Sequence, residues 1–316
     1  MGDVLAGIHA TWELESDALV IRFDRGIRTP KLFGALRERR VPHEALASVT
    51  LTPGKRGTVV LHAVPRPGAD PLMEAAAGQL KEGSDPYRLV LPAEREALAE
   101  HCRDELLALL ASRPGAAGAV GYEAYAPGDV DAGGFADAGG FAPADRFLVA
   151  PPPGPQSFKA YDGKASFDGT SEVAFRWSRT GASSEKWKAG DQVFSVRDLC
   201  GVEWRSPDGV DGYLRLVPRA GGPRAVQPDQ DPACVVFGRY GPVHESLTFA
   251  AAVLAAIRGR DRAAVPVAVP AGGRGAGHGD PGAVAERIRH LGELHQAGLV
   301  TDAEFSAKKA ELLAEL

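Results

Sequence analysis

Cysteine is scarce in this sequence and forms no recognisable pattern. Of 316 residues only three are cysteine, namely Cys102, Cys200 and Cys234, and they lie far apart in apolar surroundings. An odd number at such wide spacing argues against both a disulfide framework and a zinc site. We expect all three to be buried thiols in a reducing, cytoplasmic setting.

Long apolar runs and excess positive charge are missing as well. No stretch of about 18 uncharged apolar residues occurs, and the first residues lack a basic start followed by an apolar core. The sequence therefore predicts no transmembrane segment and no secretory signal. The net charge of −5 argues against a large nucleic-acid interface. The abundance of arginine, alanine, glycine and proline is typical of a GC-rich genome, such as that of an actinobacterium.

Sequence motifs for catalysis and cofactor binding are also missing. The eight histidines are scattered without a His-Glu-x-x-His pair, and no Gly-x-Ser-x-Gly elbow is present. The glycine-rich run 272–279 lacks the Gly-Lys-Ser/Thr ending of a phosphate loop and follows Pro266 and Pro270. The sequence therefore nominates no catalytic, cofactor-binding or metal-binding residue, and we expect a protein that is not an enzyme.

What is present is an ordinary globular balance, with 44% hydrophobic and 24% charged residues. The length suits two domains and an appendage. Two stretches rich in glycine, alanine and proline, at 113–157 and 259–283, predict linkers. They leave three predicted units, at 1–112, 158–258 and 284–316.

The first two units repeat one plan. Alternating apolar residues predict strands at Leu19–Phe23 and Val173–Trp177. Further along, one constant offset aligns apolar positions of the two units: Val41, Leu46 and Val49 with Phe194, Leu199 and Val202. Such register indicates a duplication. Each unit is predicted to end in an amphipathic helix. The apolar faces are Leu98, Cys102, Leu106 and Leu109 in the first helix, and Val243, Leu247, Leu254 and Ile257 in the second.

The segment Val41–Val49 resembles the strand-turn-strand of bacterial pleckstrin-homology-like (PH-like) domains. The resemblance implies an α+β protein with two tandem PH-like barrels, each made of antiparallel strands and a C-terminal helix. Two unrelated α+β domains are the alternative.

The C-terminal stretch predicts a hairpin of two short helices. Gly298 suits the position after a first helix, where φ is positive. Thr301 and Glu304 form a capping box for a second helix. A unit of about 33 residues cannot bury enough apolar surface to be stable alone. We therefore predict that it docks on another copy or another protein through its apolar residues: Leu291, Leu294, Leu299, Phe305, Leu312, Leu313 and Leu316.

This hairpin resembles the short C-terminal domain called SHOCT. That family is regarded as an oligomerisation or interaction module without catalytic residues. Two repeats with a SHOCT tail resemble the actinobacterial DUF4429 family, whose function is not established.

Basic residues accompany an aromatic residue at similar positions of the two repeats. The residues are Lys31, Phe33, Arg37, Arg39 and Arg40 in the first repeat, and Lys186, Trp187 and Lys188 in the second. One hypothesis is contact with anionic lipid. The alternative is that Phe33 and Trp187 point inward from a third strand whose wet face carries the cations.

The sequence as a whole predicts a non-enzymatic adaptor or scaffold that acts through protein-protein contacts, with the hairpin mediating oligomerisation or partner docking. The alternative is peripheral membrane or phospholipid head-group binding by the PH-like domains. Partner identity and oligomer number stay open.

Overall fold

The computed structural model describes residues 4–112, 144–208, 211–221, 227–239 and 241–264. The chain divides into two compact units, Met1–Val265 and Pro266–Leu316. All described residues belong to the first unit, so the predicted hairpin lies outside the described residues.

The first repeat contains two antiparallel sheets and three helices. The four-stranded sheet has the order β1 (Val4–Ala6), β2 (Ala10–Leu14), β3 (Ala18–Phe23), β4 (Glu38–Pro42). The three-stranded sheet consists of β5 (Leu46–Pro53), β6 (Thr58–Pro65) and β7 (Arg88–Pro92). The helices are α1 (Lys31–Leu36), α2 (Pro71–Ala76) and α3 (Glu96–Ala111).

The second repeat has the same sheet plan. Its four-stranded sheet consists of β8 (Gln156–Lys159), β9 (Gly163–Phe167), β10 (Glu172–Trp177) and β11 (Gln192–Ser195). Its three-stranded sheet consists of β12 (Leu199–Arg205), β13 (Gly212–Pro218) and β14 (Cys234–Gly238). The helices are α4 (Ser184–Ala189) and α5 (Val243–Ala264). The mixed helix and sheet content and the antiparallel strands agree with the predicted α+β class.

The predicted register between the repeats is reproduced in three dimensions. Strand β4 corresponds to β11, and β5 corresponds to β12. In both repeats a short 3₁₀ turn joins these strands, at His43–Ala45 and Val196–Asp198. The alternation of side chains explains the agreement, because a strand that buries one face needs an apolar residue at every second position.

The sheets are not closed into barrels, which corrects one part of the predicted fold. In the first repeat, the only bridge outside the named strands of the described part joins Ile8 to Val90. This bridge brings the turn between β1 and β2 against β7. The two sheets therefore meet at a corner instead of forming one continuous barrel.

The helix closing the first repeat buries a slightly different face from the predicted one. Cys102 and Leu106 are buried as predicted, but Leu98 is exposed and Leu109 is only partly buried. Ala99 and Leu110 take their places. The buried face therefore keeps its two central residues and is displaced by one residue at each end. In α5 the predicted Leu247, Leu254 and Ile257 are buried, and Val243 packs against the same core.

The two repeats have separate hydrophobic clusters, and α2 of the first repeat packs into the cluster of the second. Leu72 and Ala75 of α2 belong to the cluster formed mainly by the second repeat. Next to them, Arg258 of α5 forms two hydrogen bonds with the carboxylate of Glu74, one of them 2.9 Å long. The Arg258 guanidinium also lies 4.1 Å from the ring centroid of Phe147. Helix α2 of the first repeat thus contacts α5 of the second repeat through both apolar packing and an ion pair.

The end of the predicted 113–157 linker is part of this packing. The N–H of Ala144 donates to the carbonyl of Pro67 at 2.8 Å, and the N–H of Leu148 donates to the carbonyl of Ala69. Val149 is buried in the core of the first repeat. Residues 144–150 therefore lie along the first repeat.

The cysteines match the expectation at two positions of three. Cys102 and Cys234 are buried, but Cys200 is exposed. The strand pairing shifts between Leu199 and Gly201, and this bulge places Cys200 outside the regular alternation. None of the helices in the described part of the chain has the length and apolarity needed to span a membrane.

Arg37, which follows α1, has a backbone conformation that a glycine adopts more easily. Its φ is 61° and its ψ is −68°, whereas the residue after α4 is Gly190, with a φ of 70°. Because non-glycine residues pay for positive φ, we expect Arg37→Gly to raise the free energy of unfolding by about 1 kcal/mol.

Denaturant unfolding of the full chain would measure this gain. Arg28→Gly is the matched control, because Arg28 is exposed and is not among the residues with positive φ. We expect the control to bring no gain. Equal effects of the two changes would contradict the role of backbone strain.

Candidate docking edge of the second repeat

The positions predicted to contact lipid are split between surface and interior. Five of them are exposed: Lys31, Arg37, Arg40, Trp187 and Lys188. The remaining three are buried: Phe33, Arg39 and Lys186. These segments belong to α1, β4 and α4, so the third strand assumed at 31–33 and 186–188 is wrong. Phe33 points inward as the alternative interpretation expected, whereas Trp187 is 47% exposed.

Arg39 forms an ion pair in the interior of the first repeat. Its Nη2 donates to Asp70 at 2.7 Å, and the Tyr87 hydroxyl donates to the same carboxylate at 2.8 Å. Burial by itself would lower the pKa of Arg39, but the carboxylate of Asp70 outweighs it and raises that pKa. Burial and the charge of Asp70 raise the pKa of Tyr87 well above its usual value. Arg39 therefore remains charged in the interior of the first repeat, where it links β4 to the start of α2.

Lys186 is enclosed in a similar way in the second repeat. It occupies the place of Phe33, which stacks on Phe23 in the first repeat at 4.6 Å between ring centroids. The Nζ of Lys186 instead lies 4.9 Å from the centroid of Trp177 and donates to Asp162 at 2.5 Å. Burial raises the pKa of Asp162, and the charge of Lys186 opposes part of that rise.

The exposed apolar residues of this region lie around β11. Val193 is 65% exposed within the strand, and Trp187 lies in the helix that precedes it. Strand β11 pairs with β10 on one side, and no strand of the described part lies along its other side. An exposed apolar edge strand is a template for pairing with another chain.

The hydrogen-bond pattern identifies which backbone groups face that open side. The N–H of Val196 donates to the carbonyl of Ser171 at 2.8 Å. Bonded and non-bonded pairs alternate along an antiparallel ladder, and the register pairs Val193 with Ala174. The N–H and C=O groups of Val193 and the N–H of Ser195 therefore point away from β10, whereas the C=O of Ser195 accepts the first hydrogen bond of the 3₁₀ turn Val196–Asp198.

The corresponding edge of the first repeat is protected. In the shared register Val193 corresponds to Arg40, which pairs with Glu15 at 2.5 Å and with Asp17 at 2.6 Å. Ser195 corresponds to Pro42, which has no N–H to offer. Charge and proline are the usual means of blocking an edge strand, and the second repeat has neither at these two positions.

The thiol of Cys234 is buried in the interior of the second repeat. Burial raises the pKa of the Cys234 thiol to about 12, so it carries almost no thiolate at neutral pH. No group of three metal-binding side chains comes together within the residues that the structure describes.

Several of these residues were missed by sequence reasoning. The Asp-Pro pair at the start of α2 is a sequence signal that could have identified Asp70. The Asp70 side chain accepts the N–H of Leu72 there and caps the helix. Val193 and Ser195 would have been found by reading the two repeats in register and asking which edge lacks charge and proline. Asp162 carries no comparable local signal.

The seven predicted hairpin residues lie outside the described part of the chain. They are Leu291, Leu294, Leu299, Phe305, Leu312, Leu313 and Leu316. Their role as a contact surface stays a prediction.

Comparison with known proteins supports the two family resemblances. The model of a domain of unknown function, DUF4429, matches residues 12–107 and 165–254. The model of the short C-terminal domain, SHOCT, matches residues 286–313. No curated protein matches the chain.

Proposed function

Because the chain belongs to the DUF4429 family, whose function is unknown, we propose from its geometry that it is a non-enzymatic adaptor or scaffold acting through protein-protein contacts. The observation that carries the proposal is the difference between two equivalent edges. Strand β4 is blocked by Arg40 and Pro42, whereas β11 presents an exposed Val193 and open backbone groups. The C-terminal hairpin is the second proposed contact, through its apolar stripes.

Lipid binding, the alternative function, receives less support. A surface that attracts anionic lipid needs several free cations. Arg39 and Lys186 are buried in ion pairs, and Arg40 is neutralised by two carboxylates. Lys31 and Arg37 stay exposed, but the paired cations leave too small a basic patch to favour lipid over protein.

The PH-like character of the repeats is part of the proposal. Each repeat places a four-stranded sheet, a three-stranded sheet and then a long helix in the same order, which is compatible with that fold although the sheets are open. A cytoplasmic location and an actinobacterial origin stay predictions from the sequence.

Site-specific photo-crosslinking tests the proposed contacts. A photoreactive residue is placed in the full chain at Val193, at Phe305 in the hairpin, or at Arg40 as the matched control, and cell extract is added before irradiation. We expect adducts heavier than the chain from Val193 and Phe305, at several times the yield from Arg40. Adducts no more abundant at Val193 and Phe305 than at Arg40 would contradict an adaptor function.

A further inference from the structure

The proposed function leaves open what occupies the free side of β11, and the charges at the ends of the strand narrow the choice. Asp191 precedes the strand and Arg197 follows it, and both are exposed. The Asp191 carboxylate accepts the N–H of Trp177 at 3.1 Å. Among the described residues, neither side chain lies within salt-bridge distance of an opposite charge.

An antiparallel partner with the same sequence would satisfy these groups. If Phe194 lies opposite Phe194 of a second copy, then Val193 lies opposite Ser195 of that copy. The outward N–H of Ser195 in each copy can then donate to the outward C=O of Val193 in the other copy. In the same register Asp191 comes opposite Arg197, which gives one attractive charge pair at each end of the paired strands.

The first repeat provides an internal contrast. The residues equivalent to Asp191 and Arg197 are Glu38 and Glu44. Two copies of β4 in the same register would therefore bring carboxylates together, and Pro42 would remove a donor. Of these two equivalent edge strands, β4 and β11, it is β11 that is complementary to itself.

We infer that β11 is a self-association edge, at which a second copy of this chain pairs antiparallel about Phe194. The inference rests on the proposed function, since it names the partner for one of its contact surfaces. The pairing covers the exposed Val193 and the partly exposed Phe194, whose ring packs edge-on at 5.5 Å against Phe175. The interface is isologous, as in most symmetric dimers.

Ser195→Pro is the sharpest test, because it introduces the proline that the first repeat has at the equivalent position, Pro42, and does not strain the backbone. Ser195 has a φ of −77° and a ψ of 133°, which proline can adopt, and its N–H is not used by β10. The change removes a donor from each side of the interface. We expect the dissociation constant of the full chain, measured by sedimentation velocity, to rise at least about tenfold.

Charge reversal gives a second variant that leaves the backbone unchanged. Arg197→Glu places like charges opposite each other and should also weaken association several-fold. Lys55→Glu makes the same change of charge in the exposed turn between β5 and β6 and should leave association as it is. Equal effects of the two reversals would count against the proposed register.

Disulfide trapping tests the register directly. Two differently tagged full chains, both carrying Cys200→Ser, receive Val193→Cys in one and Ser195→Cys in the other, and are mixed with oxidised glutathione. Directly opposed residues have Cα atoms about 5.5 Å apart, within disulfide range. We expect the mixed 193–195 disulfide to exceed the 193–193 product several-fold.

The outcomes separate this inference from the proposed function. If the chain associates but Ser195→Pro has no effect and the mixed disulfide does not form, contact lies elsewhere and the self-association edge is wrong. A chain that is monomeric at every concentration reached also overturns it, and adducts of Val193 with a different protein would then identify another occupant. Neither result alone removes the adaptor function.

Discussion

Replacing Asp70 with alanine lowers the free energy of unfolding by about 3–5 kcal/mol. Its carboxylate accepts hydrogen bonds from Arg39 at 2.7 Å, from the Tyr87 hydroxyl at 2.8 Å and from the N–H of Leu72 at 2.9 Å. Arg39 is 5% exposed and Tyr87 is fully buried. The variant therefore leaves a buried guanidinium without its counter-charge and a buried hydroxyl without its acceptor.

Denaturant unfolding of the full chain, followed by tryptophan fluorescence, measures this loss. Asp104→Ala is the matched control, because Asp104 pairs with Arg103 on the exposed side of α3, where ion pairs contribute little. We expect the control to leave the unfolding midpoint nearly unchanged. A loss for Asp70→Ala no greater than for Asp104→Ala would show that the interior ion pair is not needed for stability.

Replacing Lys186 with methionine lowers the free energy of unfolding by about 3–5 kcal/mol at neutral pH. The Asp162 carboxylate, almost fully buried, loses its partner at 2.5 Å. Burial already raises the pKa of Asp162, and Lys186 opposes that rise. Without Lys186 the pKa of Asp162 must rise further.

The pH dependence of this variant follows from the sign of that shift. A carboxyl whose pKa is higher in the folded than in the unfolded state is held protonated by folding. Its contribution to stability is therefore lost as the pH rises from the unfolded pKa, near 3.8, through the raised folded pKa. We expect the gap between Lys186→Met and wild type to widen from acid to neutral pH. A gap that stays constant with pH would contradict a buried, unpaired Asp162.

A double variant separates charge from packing. In Lys186→Met combined with Asp162→Asn, no charge remains at this site, and the asparagine oxygen can still accept the N–H of Val236, which lies 3.0 Å from Asp162. Replacing a buried ion pair with neutral groups is often close to neutral for stability. We expect the double variant to recover most of the stability that Lys186→Met loses. If the stability loss of the double variant instead equals the sum of the losses of the two single variants, Lys186 and Asp162 are not coupled.

The strands and their register could be read from the sequence for a local reason. Leu19, Ile21 and Phe23 alternate along β3, as Val173, Phe175 and Trp177 alternate along β10, and all six side chains are buried. A period of two is a property of the strand itself and needs no knowledge of its neighbours. The constant offset between the repeats adds a second, independent signal.

The short helices and the buried charges could not be read in this way. Helices α1 and α4 have six residues each, too few for a helical period to stand out from a strand pattern. The sequence places Arg39 and Lys186 at the surface, because a run of charges beside an alternating strand is usually a solvated face. Their partners Asp70 and Asp162 are 31 and 24 residues away, so no local pattern links them.

The duplication, the strand register, the closing helices and the two family resemblances can all be recognised in the amino-acid sequence, because each is a local pattern or the recurrence of one. Long-range packing, in contrast, sets the open sheets, the insertion of α2 into the hydrophobic cluster of the second repeat and the burial of Arg39 and Lys186. It also decided which edge is available. Arg40 lies on the open edge of β4 and is held there by ion pairs with Glu15 and Asp17. Val193, at the equivalent position of β11, is exposed. This difference depends on contacts between residues that are distant in the sequence.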